Sequence, residues 1–205
     1  MTRSGASTSE PTATMDIAEA VLARNALFLK EILDSEANPR RLVAAIEGLA
    51  TLHTSLKRLT IVNLINATKD SSVKRSLATH FSASHPDLHE LLLRDENPSV
   101  VEAAAYSAGE SGQSCYRTTL EKIAVEHSDL LCRESAIASL GSIGDPRSLQ
   151  VVLRALDDRP TIRRRAVVAL SAFDDPQVEL ALERAKNDKD FQVRTLAEDL
   201  LRPQI

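Results

Sequence analysis

A sequence pattern that occurs twice constrains the fold of this chain more than any other feature. Residues 132–158 contain an alanine-rich helical segment, a turn at Gly144-Asp145-Pro146, a second helical segment and an acidic break. Residues 162–176 repeat the first part of this pattern and end at Asp175-Pro176. Self-similarity at a fixed period is typical of solenoids, in which a unit cannot bury its apolar face alone and packs on the next unit.

The same pattern continues on both sides of residues 132–176, where the match between the repeats is weaker. Its apolar first residue recurs at intervals of 27 to 32 positions: Val73, Val100, Cys132, Ile162 and Val193. Polar residues and alanines follow it, a pattern typical of a helix that buries one side. Residues that can cap a helix start and complement its dipole precede the five segments. They are Asp70, Asn97, Asp129, Asp157-Asp158 and Asp190.

Second helices are predicted between these segments, at residues 86–94, 115–126, 146–156 and 176–186. Three of them begin with Pro directly after His or Asp, an order of residues that favours a helix start. The short connections predict antiparallel helix pairs. Since no segment alternates with period two for long enough to predict a strand, the sequence predicts an all-α fold.

Apolar residues recur with a helical period in residues 16–68, but the turn sequence of the later units is missing there. They predict three further helices, the first of which carries Ile17, Val21, Leu29 and Leu33 on one face. Residues 1–14 are rich in Ser and Thr and lack an apolar face, so they predict a disordered polar tail.

Composition narrows the class of protein. The net charge of −4 and the absence of Trp argue against a protein that seeks nucleic acid or stacks its bases. No apolar stretch approaches the roughly 18 residues that a membrane helix needs, and the N-terminal residues lack the apolar core of a signal peptide. Cys115 and Cys132 are too few for a disulfide framework and predict reduced thiols. We therefore expect a cytoplasmic protein without a membrane span.

Residues 129–190 resemble the HEAT-like repeat, in the short form named after phycobilin lyases. The residues that carry the likeness are Arg133, Leu140-Gly141, Gly144-Asp145-Pro146, Asp157-Asp158, Arg163 and Asp175-Pro176. The resemblance implies a right-handed α-solenoid, or superhelix, of antiparallel helix pairs whose second helices line a concave face. On this basis residues 15–205 are predicted to form one α-solenoid domain, with divergent helices at 15–68 and HEAT-like repeats at 69–205.

The resemblance also implies a role for a column of arginines, which would pair with acidic residues in a ladder between repeats: Arg133, Arg163 and Arg194. The alternative is a basic strip at residues 163–165 that binds phosphate or an acidic partner. Three consecutive helical residues point about 100° apart, however, and do not form one patch. The sequence therefore favours the structural ladder.

The His and Cys residues are the candidates for metal binding or catalysis. His85 and His89 are four residues apart, as two metal ligands on one helix face would be, yet His85 precedes Pro86 at the helix cap and no second pair accompanies them. Cys132 occupies an apolar column and predicts an inert core thiol. We therefore predict no metal, no cofactor and no catalytic residue.

The remaining candidate is the surface of the second helices. Alignment on Leu88, Leu120, Leu149 and Val178 brings polar and apolar residues of successive second helices into shared columns. These columns predict the partner-binding residues: His89, Leu93, Glu121, Lys122, Val125, Gln150, Arg154 and Glu183. The alternative for Leu93 and Val125 is a place in the core.

The sequence therefore predicts a protein-interaction scaffold or adaptor that presents a concave helical surface to another protein. Similar repeats also occur in lyase subunits, so the first alternative is a phycobilin-lyase-like enzyme or a subunit of one. A nucleic-acid-binding HEAT protein is the third class, and the net acidity of the chain argues against it.

Overall fold

The computed structural model describes residues 16–81 and 85–202, so the predicted tail at residues 1–14 lies outside it. The described residues form thirteen α-helices: α1 (Ile17–Leu22), α2 (Ala26–Ser35), α3 (Pro39–Thr51), α4 (Arg58–Ala67), α5 (Ser71–Phe81), α6 (Pro86–Leu92), α7 (Pro98–Ser111), α8 (Arg117–Glu126), α9 (Leu130–Ile143), α10 (Leu149–Arg154), α11 (Pro160–Leu170), α12 (Pro176–Ala185) and α13 (Phe191–Leu201). Short 3₁₀ turns extend α8 and α10, at Ser114–Tyr116, Pro146–Ser148 and Ala155–Asp157. No strand occurs among these residues, which confirms the all-α prediction. None of the helices is long and apolar enough to cross a bilayer.

Most first helices start with the predicted caps. Side-chain oxygens of three capping residues accept hydrogen bonds from backbone N–H groups in the first turns of α7, α9 and α13: Asn97, Asp129 and Asp190. The prediction is wrong for Asp157-Asp158, because no side chain caps α11. This helix begins at Pro160, whose missing N–H needs no acceptor. Asp158 forms an ion pair with Arg133 instead.

The first predicted helix is two helices in the structure. Arg24, just beyond the end of α1, adopts a left-handed φ of 54° that turns the chain. Asn25 then caps α2, with its Oδ1 accepting a hydrogen bond from the Phe28 N–H at 3.1 Å. The apolar periodicity runs through this turn because α1 and α2 both pack on α3.

The helices form two layers. The odd-numbered helices pack side by side from α3 to α13, and α9 is in extensive contact with both α7 and α11. The even-numbered helices pack behind them and contact one another little. One hydrophobic core, with buried residues from Ile17 to Ala197, lies between the layers. The fold is therefore an α-solenoid of antiparallel helix pairs.

Small residues bring the odd-numbered helices to backbone contact. A Cβ atom added at Gly109 would lie 2.8 Å from the Cα of Ser139, and one added at Gly141 would lie 2.8 Å from the Cα of Ala169. Buried hydroxyls reinforce the contact, since Ser107 and Ser139 donate hydrogen bonds to carbonyls of the preceding odd-numbered helix at 2.8 and 2.7 Å. These contacts leave no room for a methyl group between α7 and α9 or between α9 and α11.

The unequal spacing of the layers decides which face is concave. Two joined layers curve toward the one whose members are closer together, and that is the layer of odd-numbered helices. The second helices of the predicted units are the even-numbered ones, so they lie on the outer side of the stack. The concave placement that the resemblance implied for them is therefore wrong.

We predict that Gly141→Ala destabilises the protein although Ala is the better helix former. Gly→Ala in an open helix position stabilises by about 1 kcal/mol. Here the new methyl group would lie 2.7 Å from the Ala169 Cβ, and such overpacking costs about 1–3 kcal/mol. The measurement is the free energy of unfolding in urea. Ser142→Ala, at the exposed neighbouring position of α9, is the matched control and should change it by less than about 0.5 kcal/mol. Stabilisation by Gly141→Ala would contradict the close approach of α9 and α11.

Candidate protein-binding surface

The arginine column forms the predicted ladder between repeats at two of its three positions. Arg133 pairs with Asp158, and its Nε donates to the Ala124 carbonyl at 3.2 Å. Arg163 is buried; it pairs with Asp188 at 2.7 Å, and its Nη1 donates to the Asp158 carbonyl at 2.7 Å. The hydrogen bonds from Arg163 lower the pKa of Asp188 below its usual value. The ladder therefore fixes each connection against the next unit.

The alternative of a basic strip at residues 163–165 does not match the geometry. Arg164 pairs with Asp190 at 3.0 Å, and Arg165 pairs with Glu134 of the preceding odd-numbered helix at 2.8 Å. Arg194, the last member of the column, donates to the Asp188 carbonyl at 2.7 Å and lies over the Phe191 ring. These arginines therefore join neighbouring parts of the stack, and each points to a different carboxylate or carbonyl.

Two of the predicted partner-binding residues are in the core. His89 and Leu93 are each 2% exposed, which corrects their placement on the surface. The Nε2 of His89 lies 2.8 Å from the Ala104 carbonyl, so this nitrogen carries the proton and donates. The ring also meets Tyr116 edge to face, with centroids 5.0 Å apart. Burial lowers the pKa of His89 to about 4, and the imidazole is neutral at physiological pH.

The other His and Cys candidates also have structural environments. The Nε2 of His85 lies 3.2 Å from the Leu56 carbonyl, so His85 and His89 are directed to different parts of the chain and do not form a pair of ligands. Cys132 is fully buried, with its Sγ 3.1 Å from the Pro98 carbonyl. Burial raises the pKa of the Cys132 thiol to about 12, which matches the predicted inert core thiol.

Glu121 is half-buried and joins two units. Both of its carboxylate oxygens accept from Arg117 at 2.8 Å, and one also accepts from the hydroxyl of Ser148 at 2.8 Å. The neighbouring Asp145 caps the turn before α10, and its hydrogen bonds with Arg147 lower its pKa to about 2. Glu121 therefore belongs to the polar contact between α8 and α10, and it is only partly available to a partner.

The remaining five predicted residues are exposed: Lys122, Val125, Gln150, Arg154 and Glu183. They lie on α8, the α10 region and α12, and none of them is needed for the contact between the odd-numbered helices. Gln150 contacts Gln177 at 3.2 Å, and Glu183 pairs at 2.9 Å with Lys186, the residue that follows the end of α12. Arg154 donates to the Gln150 carbonyl at 3.2 Å and pairs with no carboxylate among the described residues.

Clefts open between successive even-numbered helices because these helices are held apart. One cleft of about 510 Å³ lies between α6 and α8, with Ile123 and the buried Leu93 at its base and Lys122 and Arg94 among its lining residues. Another, of about 420 Å³, lies between α10 and α12 and is lined by Leu153, Arg154, Leu180 and Arg184, among others. A third, of about 710 Å³, lies between α2 and α4. Polar side chains rather than apolar packing bridge such gaps, as Arg184 and Asp157 do at 3.2 Å.

Leu180 is not among the predicted partner-binding residues, although the structure places it on the same surface. This side chain is 72% exposed and lines the cleft between α10 and α12 together with Leu153. A signal was present, since Leu180 lies two residues after the buried Val178 and therefore on the opposite side of the helix. An apolar residue at that position is an exposed one.

An α-solenoid whose repeats are joined through small residues and an Arg–Asp ladder defines the class of this protein. A model of the HEAT repeat family matches residues 118–202, so this part of the chain is similar to HEAT repeats. Among solved structures the chain is similar to a designed armadillo repeat protein, with 19% identity, a TM-score of 0.47 and coverage of 90% of this chain and 84% of that one. No curated protein sequence matches it.

We predict that Arg163→Met costs about 3 kcal/mol of unfolding free energy, because it leaves the half-buried carboxylate of Asp188 without its cation. Arg165→Met, two residues further along α11, is the matched control. Its partner Glu134 is more exposed, so its loss should cost less than about 1 kcal/mol. Urea denaturation of both variants measures the difference. Equal effects would contradict the structural role of the ladder.

The buried His89 makes the stability of the protein depend on pH. The pKa of His89 is about 4 in the folded protein and about 6.5 in an unfolded chain. Between these values the unfolded chain binds a proton that the folded protein does not, so the protein loses stability as the pH falls from 6.5 toward 4, by up to about 1.4 kcal/mol per pH unit. His89→Gln, which keeps an N–H donor near the Ala104 carbonyl, should flatten this slope. Parallel slopes for the two proteins from pH 6.5 to 4.5 would contradict it.

Proposed function

We propose that this protein is a cytoplasmic protein-interaction scaffold and that the outer face of α6, α8, α10 and α12 binds its partner. The observation that carries the proposal is the pair of clefts between these helices, whose rims hold Lys122 and Arg154. Solenoid repeats present extended surfaces of this kind, and a partner can enter the clefts without disturbing the core.

The side chains at the rims support the choice of surface. The Nζ of Lys122 is 4.0 Å from Glu126, a weak exposed pair, and within the described part of the chain Arg154 has only a backbone partner. Both cations are therefore free to contact another protein at little cost to stacking. Apolar side chains at the cleft between α10 and α12, chiefly Leu153 and Leu180, supply surface that a partner would remove from water.

The chemistry of the clefts defines the kind of partner contact. Each of these two clefts is lined by apolar side chains, two Lys or Arg cations and a single carboxylate, which is Glu126 in the first and Asp157 in the second. The excess of cations suits a segment that places aliphatic side chains in the cleft and carboxylates at its rim. Val125 lies on the ridge of α8 beside the first cleft and is exposed. Such a segment would contact Lys122, Val125 and Arg154 together.

We predict that the double reversal Lys122→Glu with Arg154→Glu weakens partner binding at least tenfold and leaves the circular dichroism unchanged. Glu121 is not used, because its loss would disturb the contact of α8 with α10. The partner is first isolated by affinity purification of the tagged full chain from its native cell, and its dissociation constant is then measured by calorimetry.

Arg40→Glu with Lys57→Glu is the control for net charge, since both residues are exposed and lie outside α6–α12. It should leave the affinity unchanged. Equal affinity for the two double variants would contradict the placement on α6–α12. The absence of any stoichiometric partner would contradict the scaffold function itself.

A further inference from the structure

The opposite face of the solenoid carries a row of apolar side chains that the proposed function does not use. Tyr106 on α7 is 58% exposed, and Val168 on α11 is also exposed. Ala138 on α9 lies between them and is half-buried. The three residues occupy the same column of the repeat, six positions after Val100, Cys132 and Ile162. They therefore lie side by side across three closely packed helices.

Two carboxylates flank the Tyr106 ring along α7. Glu102 lies four residues before it and Glu110 four residues after it, so each is about 6 Å away along the helix axis and nearly on the same side. Neither forms an ion pair with any of residues 16–81 or 85–202. On the next odd-numbered helix, by contrast, Glu134 is paired with Arg165 at 2.8 Å. The two carboxylates of α7 thus have no cation partner among the residues that the structure describes.

The neighbours of Tyr106 leave its ring open. Thr79 on α5 and Ala138 on α9 occupy the adjacent column positions, and both are small. Arg75, which shares the column of Glu102 on α5, is exposed and bounds the acidic area on that side. An open aromatic ring between two free carboxylates favours a flat, weakly hydrated cation, because the ring face and the carboxylates both attract positive charge.

We propose that this face is a second binding surface and that it takes an arginine-bearing segment of a partner protein. The guanidinium group stacks on Tyr106 between Glu102 and Glu110, and an aliphatic neighbour of the arginine packs on Ala138 and Val168. Tyr and Arg are the residues most enriched at the energetic centres of interfaces. The surface lies on the layer opposite to the clefts of α6–α12, so the proposal does not depend on them, and two occupied surfaces would let one chain join two proteins.

The test is a titration of the ¹⁵N-labelled full chain, followed by NMR, with the peptide acetyl-Gly-Ser-Arg-Leu-Arg-Ser-Gly-amide. We expect saturable shifts of amides in residues 102–110 and around Ala138 and Val168. The matched peptide with Gln in place of both arginines should bind at least tenfold more weakly. Raised salt should weaken the arginine peptide only, since its attraction to the carboxylates is screened.

Variants of the exposed Tyr106 and Glu110 and of the half-buried Glu102 locate the binding. Tyr106→Ala, and separately Glu102→Gln with Glu110→Gln, should each lower the affinity for the arginine peptide about tenfold, with the dispersion of the spectrum retained. Glu179→Gln with Glu198→Gln, which removes two exposed carboxylates elsewhere, should leave it unchanged. So should the reversal of Lys122 and Arg154, which separates this surface from the first. Equal binding of the two peptides, shifts confined to the even-numbered helices, or no saturable shift would overturn the proposal.

Discussion

Backbone contact between the odd-numbered helices is the interaction on which the rest of this solenoid depends. Gly109 and Gly141 allow α9 to approach both of its neighbours so closely that a methyl group would collide with Ser139 or Ala169. At this distance buried hydroxyls such as that of Ser139 reach carbonyls of the neighbouring helix, 2.7 Å away. The contact is therefore specific as well as tight, because a larger side chain or a missing hydroxyl would leave either a clash or a polar group without a partner.

The even-numbered helices cannot follow this spacing, because leucine, arginine and glutamine occupy the positions that face their neighbours. Their gaps are bridged by pairs such as Gln150 with Gln177 at 3.2 Å and Arg58 with Asp87 at 2.6 Å. Exposed polar pairs contribute little to stability. The stack thus has one layer that holds the units together and one layer that is loosely bridged. Clefts open in the second layer as a consequence of the packing in the first.

The sequence predicted those features that depend on one residue type recurring in one column. The helix pairs, the capping Asn97 and Asp129, the core thiol of Cys132 and the pairing of Arg133 and Arg163 all follow from the repeat. It failed where a unit departs from the average geometry. α6 is only seven residues long and is covered by α5, α7 and the turn at Tyr116. His89 and Leu93 are therefore buried, although the matching residues Val125, Gln150 and Arg154 are exposed. The orientation of the layers was missed as well, since it depends on the spacing between helices and not on the periodicity within one.

The unit that begins with α7 departs from the repeat in several respects. Its ladder position holds the buried Val101 instead of an arginine, and the carboxylate of Glu102 next to it has no ion-pair partner among the described residues. Its turn is Gly109-Glu110-Ser111-Gly112 instead of Gly-Asp-Pro, which adds a second free carboxylate at the end of α7. Neither carboxylate has an ion-pair partner among the described residues, and the ring of Tyr106 between them is 58% exposed. Departures from local consistency that stability does not require are expected at functional sites, and this unit concentrates them on one helix face.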